Sequence, residues 1–192
     1  MFRLIPILIL LLPFSTFAQN IKVRSAGNGK VRITSGKTQS IINLSKDMAG
    51  CLMTYDGTDP KRRKFDSTSF DLIDSVKKDG STYVVLLGGS SGNCNVQGQC
   101  GASESSTLFW LKLSPTLKVQ AKQVVIPQDC LDDINLTEDS LIKMNKGVLS
   151  FEFEDNLYRQ TLDYTVTKLT YKHSEPEKGL DIKTEKRDRP KN

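Results

Sequence analysis

Residues 82–114 read TYVVLLGGSSGNCNVQGQCGASESSTLFWLKLS, and this stretch decides the fold. Two apolar runs, residues 83–87 and 108–113, flank a loop of Gly, Ser, Asn and Gln that holds Cys94 and Cys100. The unbroken Tyr-Val-Val-Leu-Leu run suits a strand covered on both faces. In the second run Leu108 and Trp110 share one side while Phe109, Leu111 and Leu113 take the other, the period of a strand. The spacing predicts a central pair of strands with a cysteine-bounded loop at one end.

Moving outward, the same period recurs. Residues 21–24 and 30–34 alternate around Gly27-Asn28-Gly29, an Asn-Gly hairpin signal. Residues 40–44 and 51–55 read as further short strands. Phe70, Leu72, Ile73 and Val76 fit neither period cleanly, so residues 67–77 read as a strand with room for one short helix instead. Residues 117–126 continue as a strand after Pro115. Residues 141–144 and 148–153 flank Asn145-Lys146-Gly147 as a hairpin, with Leu149, Phe151 and Phe153 on one side and Ser150, Glu152 and Glu154 on the other. Residues 165–171 give the last clear alternation. The expectation is an all-β, antiparallel sandwich, barrel or meander of about nine to eleven strands.

The first eighteen residues look like an export signal. Arg3 is followed by an apolar run over residues 4–14, then Ser15-Thr16-Phe17-Ala18, so cleavage is expected after Ala18. That run is too short to span a bilayer, no later segment is long enough, and no cysteine follows the cleavage region to be acylated. The division expected is a signal peptide over 1–18, one β-rich domain over 19–171, and a charged, disordered tail over 172–192. The expected location is periplasmic or extracellular. In a eukaryotic host Asn43 and Asn135 would also be glycosylation acceptors.

Four cysteines, Cys51, Cys94, Cys100 and Cys130, in an exported chain read as two disulfides with three possible pairings. Cys94 with Cys100 is the local choice, which leaves Cys51 for Cys130. On chain entropy the short bridge contributes about 2 kcal/mol and the long one about 4–5 kcal/mol, so the long one holds the fold while the short one shapes a loop. Zinc is disfavoured: there is no C-x-x-C pair, and the only histidine, His173, is remote in sequence. Asp56 and Asp59 fall short of the oxygen count calcium wants. No metal or cofactor is expected.

Catalytic constellations are weak. Gly88-Gly89-Ser90-Ser91-Gly92 matches G-x-S-x-G, but the residues after it make loop rather than the helix a nucleophile elbow needs. The same stretch lacks the lysine of a phosphate cradle. Glu152 and Glu154 stand about 7 Å apart along one strand, side by side rather than opposed across a cleft, and Glu104 lies just past the loop. A row of solvent-facing acids accounts for the pair. The formal charge of +5 is concentrated partly in the tail, and a single cluster over residues 61–64 with a lone Trp110 gives little basis for nucleic-acid binding.

What remains is the loop itself. A bridge across Cys94 and Cys100 would enclose Asn95, Val96, Gln97, Gly98 and Gln99, a candidate recognition element rich in amide donors and acceptors and short of conformational freedom to lose. The reading is a secreted or periplasmic, non-catalytic protein that binds a protein partner, as an inhibitor or immunity-type protein. A structural component of the cell envelope or surface is the alternative, and a small secreted hydrolase the third.

Overall fold

A computed structural model describes residues 20–50, 53–56, 59–65, 68–91, 103–130, 132–137, 140–155 and 163–188; at 53–56, 59–65, 91, 163, 164 and 188 only the backbone is described. The proposed signal peptide lies outside them. The described chain is almost entirely strand, in antiparallel sheets that do not close into a barrel.

Three antiparallel strands, β1 (Ile21–Ser25), β2 (Lys30–Ser35) and β3 (Thr38–Asn43), form the first sheet in sequence order. A separate hairpin joins β4 (Met53–Asp56) to β5 (Asp59–Phe65). The second large sheet is a meander of β6 (Ser69–Lys78), β7 (Ser81–Ser91), β8 (Glu104–Leu113) and β9 (Val119–Gln128). The last contains β10 (Ile134–Leu136), β11 (Met144–Asn145), β12 (Val148–Asp155), β13 (Asp163–Lys172) and β14 (Asp181–Asp188), with both β10 and β11 paired to β12. A single 3-10 turn, Pro176–Lys178, precedes β14.

The meander is the middle layer of three. Val84 and Leu86 of β7 and Phe109, Leu111 and Leu113 of β8 join Ile21, Val31, Ile33, Ile42 and Leu44 of the first sheet and its exit in one core. Tyr83 and Val85 with Leu108 and Trp110 join Leu149, Phe151, Phe153, Leu169 and Tyr171 in the other. The alternation in β8 and β12 therefore falls on the faces that the sequence period assigns, and the Tyr-Val-Val-Leu-Leu run is covered on both sides. Phe70 and Phe109 stack at 6.3 Å in the first core, Tyr83 and Trp110 at 5.9 Å in the second.

The ambiguous residues 67–77 are strand. Their broken period has a cause: β6 slips register against β7 between Leu72 and Asp74, and the extra residue of a bulge shifts every later side chain to the opposite face. At the first hairpin Gly27, Asn28 and Gly29 all take positive φ, and Gly29 is further fixed because a Cβ there would lie 2.6 Å from the Ser45 backbone. Leu117, expected to begin a strand, sits instead in the turn before β9 with φ 59°.

Two strands appear where none was expected, and one expectation changes. The basic cluster over residues 61–64 lies in β5, paired with β4. Residues 134–136 form a short strand paired with β12. The tail over 172–192 is not disordered throughout: Lys172 ends β13, and β14 pairs with β13 over eight residues. Its ladder is satisfied by backbone bonds, which no apolar periodicity announces.

Candidate functional site

The loop over residues 92–102, with Cys94, Cys100 and Asn95, Val96, Gln97, Gly98 and Gln99, lies outside the described residues, as does Cys51. Its base is described. β7 and β8 extend beyond the two apolar runs, pairing Ser90 with Ser105 and Ser91 with Glu104, so the loop leaves the sheet from a rigid ladder.

That ladder ends in buried hydroxyls. Ser90, Ser105 and Thr107 are buried, together with Asp129 of the chain leaving β9. Ser90 Oγ donates to the Ala49 carbonyl at 2.5 Å, while the Ala49 N–H donates to Thr107 Oγ1 at 2.9 Å. Ser105 Oγ donates to Asp129 Oδ1 at 3.3 Å, and Asp129 exchanges backbone bonds of 2.9 and 2.8 Å with Ile134. Two outside segments, one ending near Ala49 and one near Asp129, are thus tied to the loop base. Among the described residues no buried side-chain nitrogen or oxygen lacks a partner.

The two glycines before Ser90 belong to β7 rather than to a turn. A Cβ on Gly88 would stand 3.1 Å from both Phe109 and Phe70 and 3.2 Å from Met48; on Gly89 it would stand 2.7 Å from Ser69 Oγ. A side chain at either position would press on these neighbours, and glycine fits the space they leave. Ser90 is accordingly a buried donor to backbone, not a serine raised above a sheet edge.

The other candidates are placed as follows. Cys130 is half-buried and not a free thiol. Glu152 meets Lys168 at 3.5 Å and Arg187 at 4.0 Å, and Glu104 is exposed on β8. Trp110 is buried and its Nε1 donates to the Pro176 carbonyl at 2.9 Å. The side chains of Asp56, Asp59 and residues 61–64 are outside the described set. Asn43 and Asn135 are both exposed.

Sequence reasoning missed a second cluster. His173 Nδ1 lies 2.9 Å from Asp74 Oδ2, to which the buried Tyr171 hydroxyl also donates at 2.9 Å. Burial, followed by the negative charge of Asp74 and that hydrogen bond, pushes the Tyr171 phenol well above its ordinary range. Farther along, Lys78 meets Glu177 at 2.7 Å, and Gln123 Oε1 accepts the Leu180 N–H at 2.6 Å. The hydrogen bond from Lys78 lowers the pKa of Glu177. These contacts strap residues 173–180 across β6, β8 and β9. Only the Trp110 indole and the lone histidine hinted at them.

No family model, no curated protein and no solved structure matches this chain.

Proposed function

We propose that the chain is an exported, non-catalytic binding protein that recognises another envelope or extracellular protein, as an inhibitor or immunity-type protein, through Asn95, Val96, Gln97, Gly98 and Gln99. The observation that supports this most is the base of the loop: the buried hydroxyls of Ser90, Ser105 and Thr107, hydrogen-bonded to Ala49 and Asp129 so that both segments are tied to it. A rigid base lowers the ordering cost a recognition loop incurs on binding. Ser90 is committed to the Ala49 carbonyl, which argues against a hydrolase built on it.

The proposal includes the two bridges Cys94–Cys100 and Cys51–Cys130. Cys94 follows Ser91 by three residues and Cys100 precedes Glu104 by four, and Ser91 and Glu104 face each other across the ladder. Cys51 follows Ala49 by two residues and Cys130 adjoins Asp129, both anchored to the same hairpin end. With at most about 3.3–3.6 Å of reach per residue, these connecting segments are long enough to let each pair meet.

The test is capture of partners by the oxidised chain from residue 19 onward, out of the host's envelope or culture fraction. One enzyme recovered in fixed ratio, and lost with Gln97→Ala and Gln99→Ala while the thermal unfolding midpoint is unchanged, is the expected result. Recovery of envelope polymer alone would overturn the reading in favour of a structural component. Labelling of Ser90 by a serine-directed probe would overturn it in favour of a hydrolase.

A further inference from the structure

Among the described residues β14 is an edge strand. It hydrogen-bonds to β13 on one side, and residues 181–187 are all exposed. Such a strand presents a free row of N–H and C=O groups to another chain. Its charges are also poorly answered by β13: Lys183 lies directly opposite Lys168, Glu185 opposite Val166, and Asp181 opposite Thr170. Within the strand Lys183 meets Asp181 at 3.6 Å and Arg187 meets Glu185 at 3.7 Å, exposed pairs of little consequence.

The order of these charges is informative. The strand reads Asp181-Ile182-Lys183-Thr184-Glu185-Lys186-Arg187. Laid antiparallel on a copy of itself about a two-fold axis through Thr184, Lys183 falls opposite Glu185, Asp181 opposite Arg187, and Ile182 opposite the aliphatic stem of Lys186. Each pair occurs twice, and all the opposed charges are opposite in sign. Neighbouring registers do not share this property. Centring on Lys183 sets Asp181 against Glu185, and centring on Glu185 sets Lys183 against Arg187; an axis between two residues would oppose side chains of different faces, which a two-fold normal to the sheet does not allow. Cross-strand charge pairs select register by this kind of difference.

We propose that β14 is the interface of a homodimer, paired antiparallel with β14 of a second copy about an axis through Thr184. The outer sheets of the two copies then become one continuous sheet. The contact is isologous and closes at two copies. A single-strand interface is small, so the dimer is weak and concentration-dependent. The site is separate from the loop reading and stands without it.

The test is the sedimentation-equilibrium mass of the chain from residue 19 onward across a concentration series, with charge swaps at two exposed positions. Wild type is expected to move from one to two copies as concentration rises. Lys183→Glu sets Glu against Glu185 twice, and Glu185→Lys sets Lys against Lys183 twice; each should weaken the dimer about tenfold or more. The double swap Lys183→Glu with Glu185→Lys recreates opposite charges and should restore it. An unchanged thermal midpoint for all three variants shows that the fold is kept. A constant monomer mass, assembly beyond two copies, single swaps without effect, or a double swap that fails to restore the dimer would each overturn the proposal.

Discussion

β7–β8 and β13–β14 are both antiparallel pairs of long strands, yet they are held in opposite ways. In the first, Val84, Val85, Leu86, Leu108, Phe109 and Leu111 are fully buried, divided between two cores. In the second, β13 buries Val166, Leu169 and Tyr171, while β14 buries no side chain among its described residues. A hydroxyl pair, Thr167 with Thr184 at 3.1 Å, is one of its few side-chain ties inward. The contrast teaches that a strand can be specified either by what covers it or by a backbone ladder alone, and that only the first kind carries much stability.

The largest expected effect comes from emptying the covered pair. Phe109→Ala should cost about 3–5 kcal/mol, because it removes a ring buried against Phe70 and leaves a cavity in the middle layer. Thr184→Ala, the matching deletion on β14, should change stability by less than about 0.5 kcal/mol in the monomer. Chemical denaturation of both variants checks the comparison, and similar losses would break it.

A smaller effect is expected from filling the hairpin rather than emptying it. Gly88→Val adds a branched side chain where even a Cβ meets Phe109, Phe70 and Met48, and should cost about 1–3 kcal/mol by overpacking. An unchanged midpoint would mean that Met48, Phe70 and Phe109 give way to the added side chain.

The smallest effect is a pH dependence at the strap that joins β13 to β14. The folded pKa of Tyr171 is raised, so the fold favours the neutral phenol. Its contribution is whole below the unfolded value of about 10 and is lost as pH rises beyond it. Unfolding midpoints measured from pH 8 upward should fall more steeply for wild type than for Tyr171→Phe. Parallel curves would show that the Asp74–Tyr171 contact carries no such linkage.

The same contrast explains what could be read from sequence. The covered strands wrote themselves as the Tyr-Val-Val-Leu-Leu run and as the phase of Leu149, Phe151 and Phe153, because burial on a defined face imposes a period of two. β14 has no face to bury, so Lys183 and Glu185 looked like tail. Gly88 and Gly89 were misleading for another reason. Their small size answers to Phe70, Phe109 and Ser69, neighbours remote in sequence, and the stretch therefore resembled a flexible turn. The hydroxyls beneath the loop, and the alignment of His173 with Asp74, also depend on contacts between distant segments and leave no local pattern.

Stability resides in the middle layer, while β14 is held by its ladder. Native-state hydrogen exchange, read strand by strand at two protein concentrations, tests it most directly. Amides of β7 and β8 should exchange only through global unfolding, whereas those of β14 should exchange far sooner and slow as concentration rises. Protection of β14 equal to that of β8 at both concentrations, or early exchange in β8, would show that stability is not concentrated in the middle layer.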